Sequence, residues 1–155
     1  APMAEARYDH AVAALDGKLY AVGGYNGDAI LSSAERYDPA ANAWVAVAPM
    51  PTTRDAFGVA VLEGKLYAIG GQNDGTPEDT EEIDNPHDRP INTVVRFDPA
   101  TDTWEEVAPM ATPRIYHTVA VLDGTLYAVG GFNNGAISSV ERYDPAAGAW
   151  EAVAP

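Results

Sequence analysis

Residues 11–24 read AVAALDGKLYAVGG, and the run returns as GVAVLEGKLYAIGG at 58–71 and as TVAVLDGTLYAVGG at 118–131. Each copy holds two short apolar stretches around an acidic-Gly pair: Asp16-Gly17, Glu63-Gly64 and Asp123-Gly124. Glycine accepts the positive φ of a primed two-residue turn, so each copy predicts a β-hairpin. A glycine doublet closes the second strand each time, at Gly23-Gly24, Gly70-Gly71 and Gly130-Gly131.

Working outward, the flanks repeat as well. Pro2-Met3, Pro49-Met50 and Pro109-Met110 open the units, and Arg7, Arg54 and Arg114 each follow five residues after the proline. A third strand is predicted at Ala34–Tyr37, Val94–Phe97 and Val140–Tyr143, each ended by Asp-Pro. A fourth begins near Trp44, Trp104 and Trp150, each seven residues after the aromatic Tyr37, Phe97 or Tyr143. Four short antiparallel strands, three times over, predict the blades of an all-β propeller. The blades span 1–48, 49–108 and 109–155, and the second carries an insertion at about 74–90.

The glycine doublet followed by a spaced aromatic and tryptophan resembles the kelch repeat, and the resemblance covers the whole chain. It implies a β-propeller of six or seven blades. It also implies a shallow pocket at one end of the central channel, and recognition of proteins or peptides more often than catalysis.

Composition narrows the function classes. The 155 residues carry a formal net charge of −14, which disfavours nucleic acid and anionic membrane surfaces as partners. No apolar run is long enough for a membrane-spanning helix. There are no cysteines, so the compartment is unknown from redox chemistry.

Three blades do not close a circle. At about 60° per blade they make half of a six-bladed ring, leaving an apolar face open at each end. A homodimer with two-fold symmetry would close it. The chain starts and stops at unit boundaries and its units are closely alike, which fits an engineered or excised half-propeller. The alternative is a fragment of a longer kelch protein that binds its partner through the rim and the acidic insertion.

Repetition separates scaffold from candidate site. Residues recurring in every blade are most simply structural: the glycine doublets, the Trp and Tyr residues, and the strand-three charges Glu35, Arg36, Arg96, Glu141 and Arg142. Arg7, Arg54 and Arg114 are open to both a structural and a ligand role. Residues that differ at matched positions are the better binding candidates. These are Tyr8, Asp9, Asp55 and Tyr116 after the arginines, and Tyr25, Gln72 and Phe132 after the doublets, taken together with the asparagine that follows each, Asn26, Asn73 and Asn133. Placed by the resemblance, both loops lie on one rim. Their mixed aromatic, amide and acidic character suits peptide or carbohydrate contact. Asp9, Ala56 and Tyr116 stand where relatives that bind acidic peptides carry basic groups, which argues against acidic peptides.

The insertion is the one irregular stretch. Residues 74–90 hold seven carboxylates and one arginine. Three readings apply to Glu78, Asp79, Glu81, Glu82, Asp84, His87 and Asp88: a solvated loop, a docking loop for a basic partner, or a cation site. Asp79, Glu81, Glu82 and Asp84 would supply hard oxygen ligands, although their spacing matches no EF-hand.

No catalytic constellation stands out. His10 and His117 occupy matched positions, with Phe57 between them in the second unit, and read as packing residues. Ser32, Ser33, Ser138 and Ser139 recur on strand three without a nearby His. Nothing calls for a cofactor. The kelch-type copper oxidases use a Cys crosslinked to a Tyr, and this chain has no Cys. A sugar-converting propeller enzyme is the remaining enzymatic alternative.

Overall fold

Alternating apolar positions and αL-compatible turn pairs produce twelve five-residue strands among the described residues. In the first sheet these are β1 (Ala11–Leu15), β2 (Lys18–Val22), β3 (Ala34–Asp38) and β4 (Ala43–Val47). The second holds β5 (Gly58–Leu62), β6 (Lys65–Ile69), β7 (Val94–Asp98) and β8 (Thr103–Val107). The third holds β9 (Thr118–Leu122), β10 (Thr125–Val129), β11 (Val140–Asp144) and β12 (Ala149–Val153). This is a computed structural model that describes residues 1–74 and 89–153. Each sheet is a four-stranded antiparallel meander in sequence order. The hairpin turns take the expected form: Asp16 and Gly17 have φ of 50° and 71°, and the pairs at 63–64 and 123–124 repeat it.

Neighbouring sheets bury their faces against each other through β1, β5 and β9, which lie side by side. Register decides which residues enter which interface. Ala13 pairs with Tyr20 and Ala11 with Val22, so these share one face; Leu19, Tyr37 and Trp44 share the other. The first interface joins Leu15, Tyr20 and Val22 to Leu66, Phe97 and Trp104. The second joins Leu62, Tyr67 and Ile69 to Leu126, Tyr143 and Trp150. Matched ring pairs hold both: Tyr20 lies 5.7 Å from Phe97, and Tyr67 lies 5.8 Å from Tyr143. The Trp104 indole also donates across the first interface to the Ala48 carbonyl at 2.8 Å.

Backbone stitches fix the spacing of the blades. Gly24 N–H donates to Arg54 O (2.8 Å) and Gly71 N–H to Arg114 O (2.9 Å). The approach needs glycine: a Cβ on Gly23 would stand 2.3 Å from the Arg54 carbonyl oxygen. Just before the innermost strands, Ala56 N–H donates to Asp9 O (3.1 Å) and Tyr116 N–H to Ala56 O (3.0 Å).

The three repeated arginines are structural clamps, which settles the choice left open by the sequence. Arg54 and Arg114 are 0% exposed and Arg7 is 9% exposed. Arg7 donates to Gly23 O, to Ser33 O and Oγ, and to Glu35 Oε1 at 3.0 Å. Arg114 repeats this with Gly130 O, Ser139 and Glu141. The carboxylates also cap the chain entering each blade. Glu35 accepts from Ala4 N and Glu5 N, and Glu141 from Ala111 N and Thr112 N. In the second blade Val95 replaces the glutamate, and among the described residues Arg54 donates to Gly70 O and to Thr93 O and Oγ1. Pro51 stands where Ala4 and Ala111 stand, so one of the amides that would need the carboxylate is gone. Burial pulls Arg54 down to about 10, against an opposing attraction from the Glu106 carboxylate.

Candidate binding rim

Each clamp delivers a short loop to the start of β1, β5 or β9, the innermost strands. The residue two places after each arginine takes a left-handed backbone: Asp9 (φ 50°), Ala56 (φ 50°) and Tyr116 (φ 53°). The preceding residue bridges to the residue after the matching glycine doublet, giving Tyr8 with Tyr25, Asp55 with Gln72, and Ile115 with Phe132. The two sets of rim candidates therefore meet directly in two of the three blades, and in the third Phe132 meets Ile115.

Six of them surround a cavity of about 250 Å³: Tyr8, Asp9, Tyr25, Asp55, Gln72 and Tyr116. Tyr8 and Tyr25 meet edge to face at 5.4 Å. The Tyr25 hydroxyl donates to Gly27 O at 3.0 Å, which fixes that ring. Asp55 and Gln72 are each 5% exposed, while Tyr8 and Tyr116 are 55% and 64% exposed. Tyr8 is held above the usual tyrosine range by desolvation, by Tyr25, and by the carboxylates of Asp9 and Asp55. It is a neutral donor at physiological pH.

The other four candidates lie off the cavity. Asn26 shapes its own turn: its Oδ1 accepts from Asp28 N and Ala29 N, both at 2.9 Å, and its Nδ2 donates to Glu5. Phe132 is 39% exposed beside buried Ile115. Asn133 donates its backbone N–H to Gly135 O, and Asn73 is half-buried next to Gln72. The acidic candidates Glu78, Asp79, Glu81, Glu82, Asp84, His87 and Asp88 fall outside the described residues. Among the described residues, no group of three or more His, Asp or Glu is placed to hold a metal ion.

The histidines pack as expected. His117 is 7% exposed, with its ring against Gly70 and Gly58. Phe57 occupies the same place against Gly23. Burial, reinforced by Arg114, pulls His117 down to about 4. His10 is half-buried and is lowered for the same two reasons, with Arg7 as the neighbouring charge.

Comparison with known proteins follows the blade pattern: the kelch motif matches residues 6–51, 53–111 and 113–155. The chain belongs to the kelch family. Among kelch relatives, Kelch-like protein 36 of Rattus norvegicus is 34% identical over 135 residues, covering 84% of this chain and 20% of that protein. Kelch repeat and BTB domain-containing protein 13 of Homo sapiens is 38% identical over 124 residues, covering 79% of this chain and 24% of that protein. Influenza virus NS1A-binding protein homolog of Mus musculus is 54% identical over 43 residues, covering 28% and 7% respectively. The kelch chain thus spans about a fifth of the length of the first of these relatives. No helix among its described residues is long and apolar enough to cross a membrane.

Proposed function

We propose that this kelch chain is a non-catalytic half-propeller that closes with a second copy into a six-bladed ring and presents its rim to a protein or peptide partner. The observation that carries it is the state of the two end faces. Leu15 and Leu62 are each 4% exposed inside interfaces, while their counterpart Leu122 is 60% exposed. Val22 and Ile69 are 1% and 0% exposed, against 42% for Val129. On the opposite end, Leu19 is 38% exposed where Leu66 and Leu126 are 0%. The two open faces carry the same kinds of residue that mate inside the chain, so one end fits the other.

The backbone supports this reading. Gly24 and Gly71 donate across an interface, but Gly131 N–H has no such acceptor among the described residues. Gly130 has only Ile137 O, 3.4 Å from a notional Cβ, where Gly23 and Gly70 have a neighbouring arginine carbonyl. A second copy would offer its Arg7 carbonyl to that place. The longer relatives favour a second reading, in which further blades of one longer chain cover the same faces. The binding role rests on the rim cavity and on the name of one relative as a binding protein.

Hydrogen exchange at the Gly131 amide tests ring closure. The expected result is protection approaching that of Gly24 and Gly71. Exchange as fast as an open amide in the isolated chain would contradict closure by a second copy.

A further inference from the structure

The six side chains around the rim cavity include two carboxylates and no basic group. Asp9 stands exposed at the mouth, and Asp55 and Gln72 are buried at 5% exposure. Gln72 Oε1 is a buried acceptor with no hydrogen-bond donor among the described residues. Burying an amide oxygen without a donor carries a penalty, which an incoming N–H group relieves. The nearby arginines do not supply it. Arg7 is committed to Gly23, Ser33 and Glu35, and Arg54 to Gly70 and Thr93. Exposed ring surface on Tyr8 and Tyr116 adds area on which a cation can stack. The volume lies below the ~300–1,000 Å³ of sites for drug-sized ligands and suits one side chain.

We propose that this cavity takes the guanidinium or ammonium group of a basic side chain presented by a partner peptide. The inference rests on the rim being the partner-facing surface. A cationic N–H donor answers Gln72 and both carboxylates and stacks on tyrosine. An acidic side chain would meet two like charges, and an apolar one would leave Gln72 unanswered. The same cavity would take a free guanidinium ion, so the source is separated by experiment.

The test follows ring-proton NMR signals of Tyr8, Tyr25 and Tyr116 during titration with acetyl-Gly-Arg-Gly-amide. Its Lys, Gln and Glu counterparts and guanidinium chloride are titrated in parallel. Expected are saturable shifts with the Arg or Lys peptide, fading with added salt, and none with the Gln or Glu peptide. Asp9→Asn should weaken binding about threefold, as for an exposed ion pair. Asp55→Asn should weaken it about tenfold or more, as for a charge-assisted bond out of water. Should Asp55→Asn fail to fold, the exposed Asp9→Asn carries the test. A Gln or Glu peptide that binds as well as the Arg peptide would keep the rim as a partner surface and overturn the cationic class. Shifts with guanidinium chloride but not the Arg peptide would overturn the peptide partner. No shift with any probe would overturn both the rim reading and this inference. Solution mass on the same sample keeps ring closure apart: a monomer that takes the Arg peptide refutes closure and leaves the cationic site standing.

Discussion

Glu141 is the carboxylate whose removal the structure prices most directly. Its side chain is 3% exposed and faces Arg114, whose side chain is 0% exposed, at 2.8 Å. It also accepts from Ala111 N at 2.6 Å and Thr112 N at 3.0 Å. Glu141→Gln keeps the shape, removes the charge and turns an NH₂ toward one of three donors. Breaking a buried pair from one side costs ~3–5 kcal/mol. The second blade places the loss at the lower end of that range, because among the described residues Arg54 is held by carbonyls and a threonine. The guanidinium therefore bears burial without a directly bonded carboxylate, with Glu106 acting from further off, when the entering chain needs no cap. We expect Glu141→Gln to lose about 3 kcal/mol, a fall in melting temperature of about 6–12 °C for a chain of this size. Glu141→Val should lose as much, and adding Ala111→Pro should restore about 1 kcal/mol by deleting an orphaned N–H. Denaturant unfolding of all four proteins is the assay. The reasoning is refuted if Glu141→Gln stays within about 0.5 kcal/mol of the parent, or if the proline gives nothing back.

Acid should act in two windows. Glu35 and Glu141 are both buried, which alone would raise them, but backbone amides and their arginines outweigh burial and hold them below the usual range. They are still ionised in the folded chain where the unfolded chain takes up protons, so stability falls as pH drops below about 4.3; Glu141→Gln should flatten part of that slope in a pH series of unfolding curves. His117, at about 4 in the fold against about 6.5 unfolded, adds an earlier window. The unfolded chain binds its proton first, so stability declines from about pH 6.5 to about 4 by up to about 3 kcal/mol. His10 is lowered too and adds its own share below about pH 6.5, so His117→Phe, which copies Phe57, should remove the His117 share of that decline, and an unchanged slope would show that another group titrates.

The scaffold was legible because its determinants are local and repeated. Asp16-Gly17 announces its turn, the Gly23-Gly24 doublet its close approach, and Tyr37 with Trp44 their shared face. Six residues that line one cavity were among the candidates because they vary at matched positions, but variation alone did not separate them from Phe132, which lies off the cavity. The arginines resisted reading because an arginine is exposed by default. Their burial depends on carbonyls from the doublet and on strand-three groups many residues away. The clue was a correlated pair of differences: Val95 for glutamate and Pro51 for alanine occur in the same blade. Asn26 went the other way. Its exposure and amide suggested a ligand contact, but its oxygen is spent on the backbone of its own turn.

Closure of the ring by a second copy is the central claim, and solution mass tests it most directly. Light scattering after size exclusion, over a dilution series, should give twice 16.4 kDa for the parent. Gly130→Ala should give a monomer: at φ 63° the alanine carries local strain, but among the described residues its Cβ meets only Ile137 O, whereas in a closed ring it would take the place where Gly23 and Gly70 meet the next blade's arginine carbonyl. A parent mass near 16.4 kDa at every concentration would contradict the account.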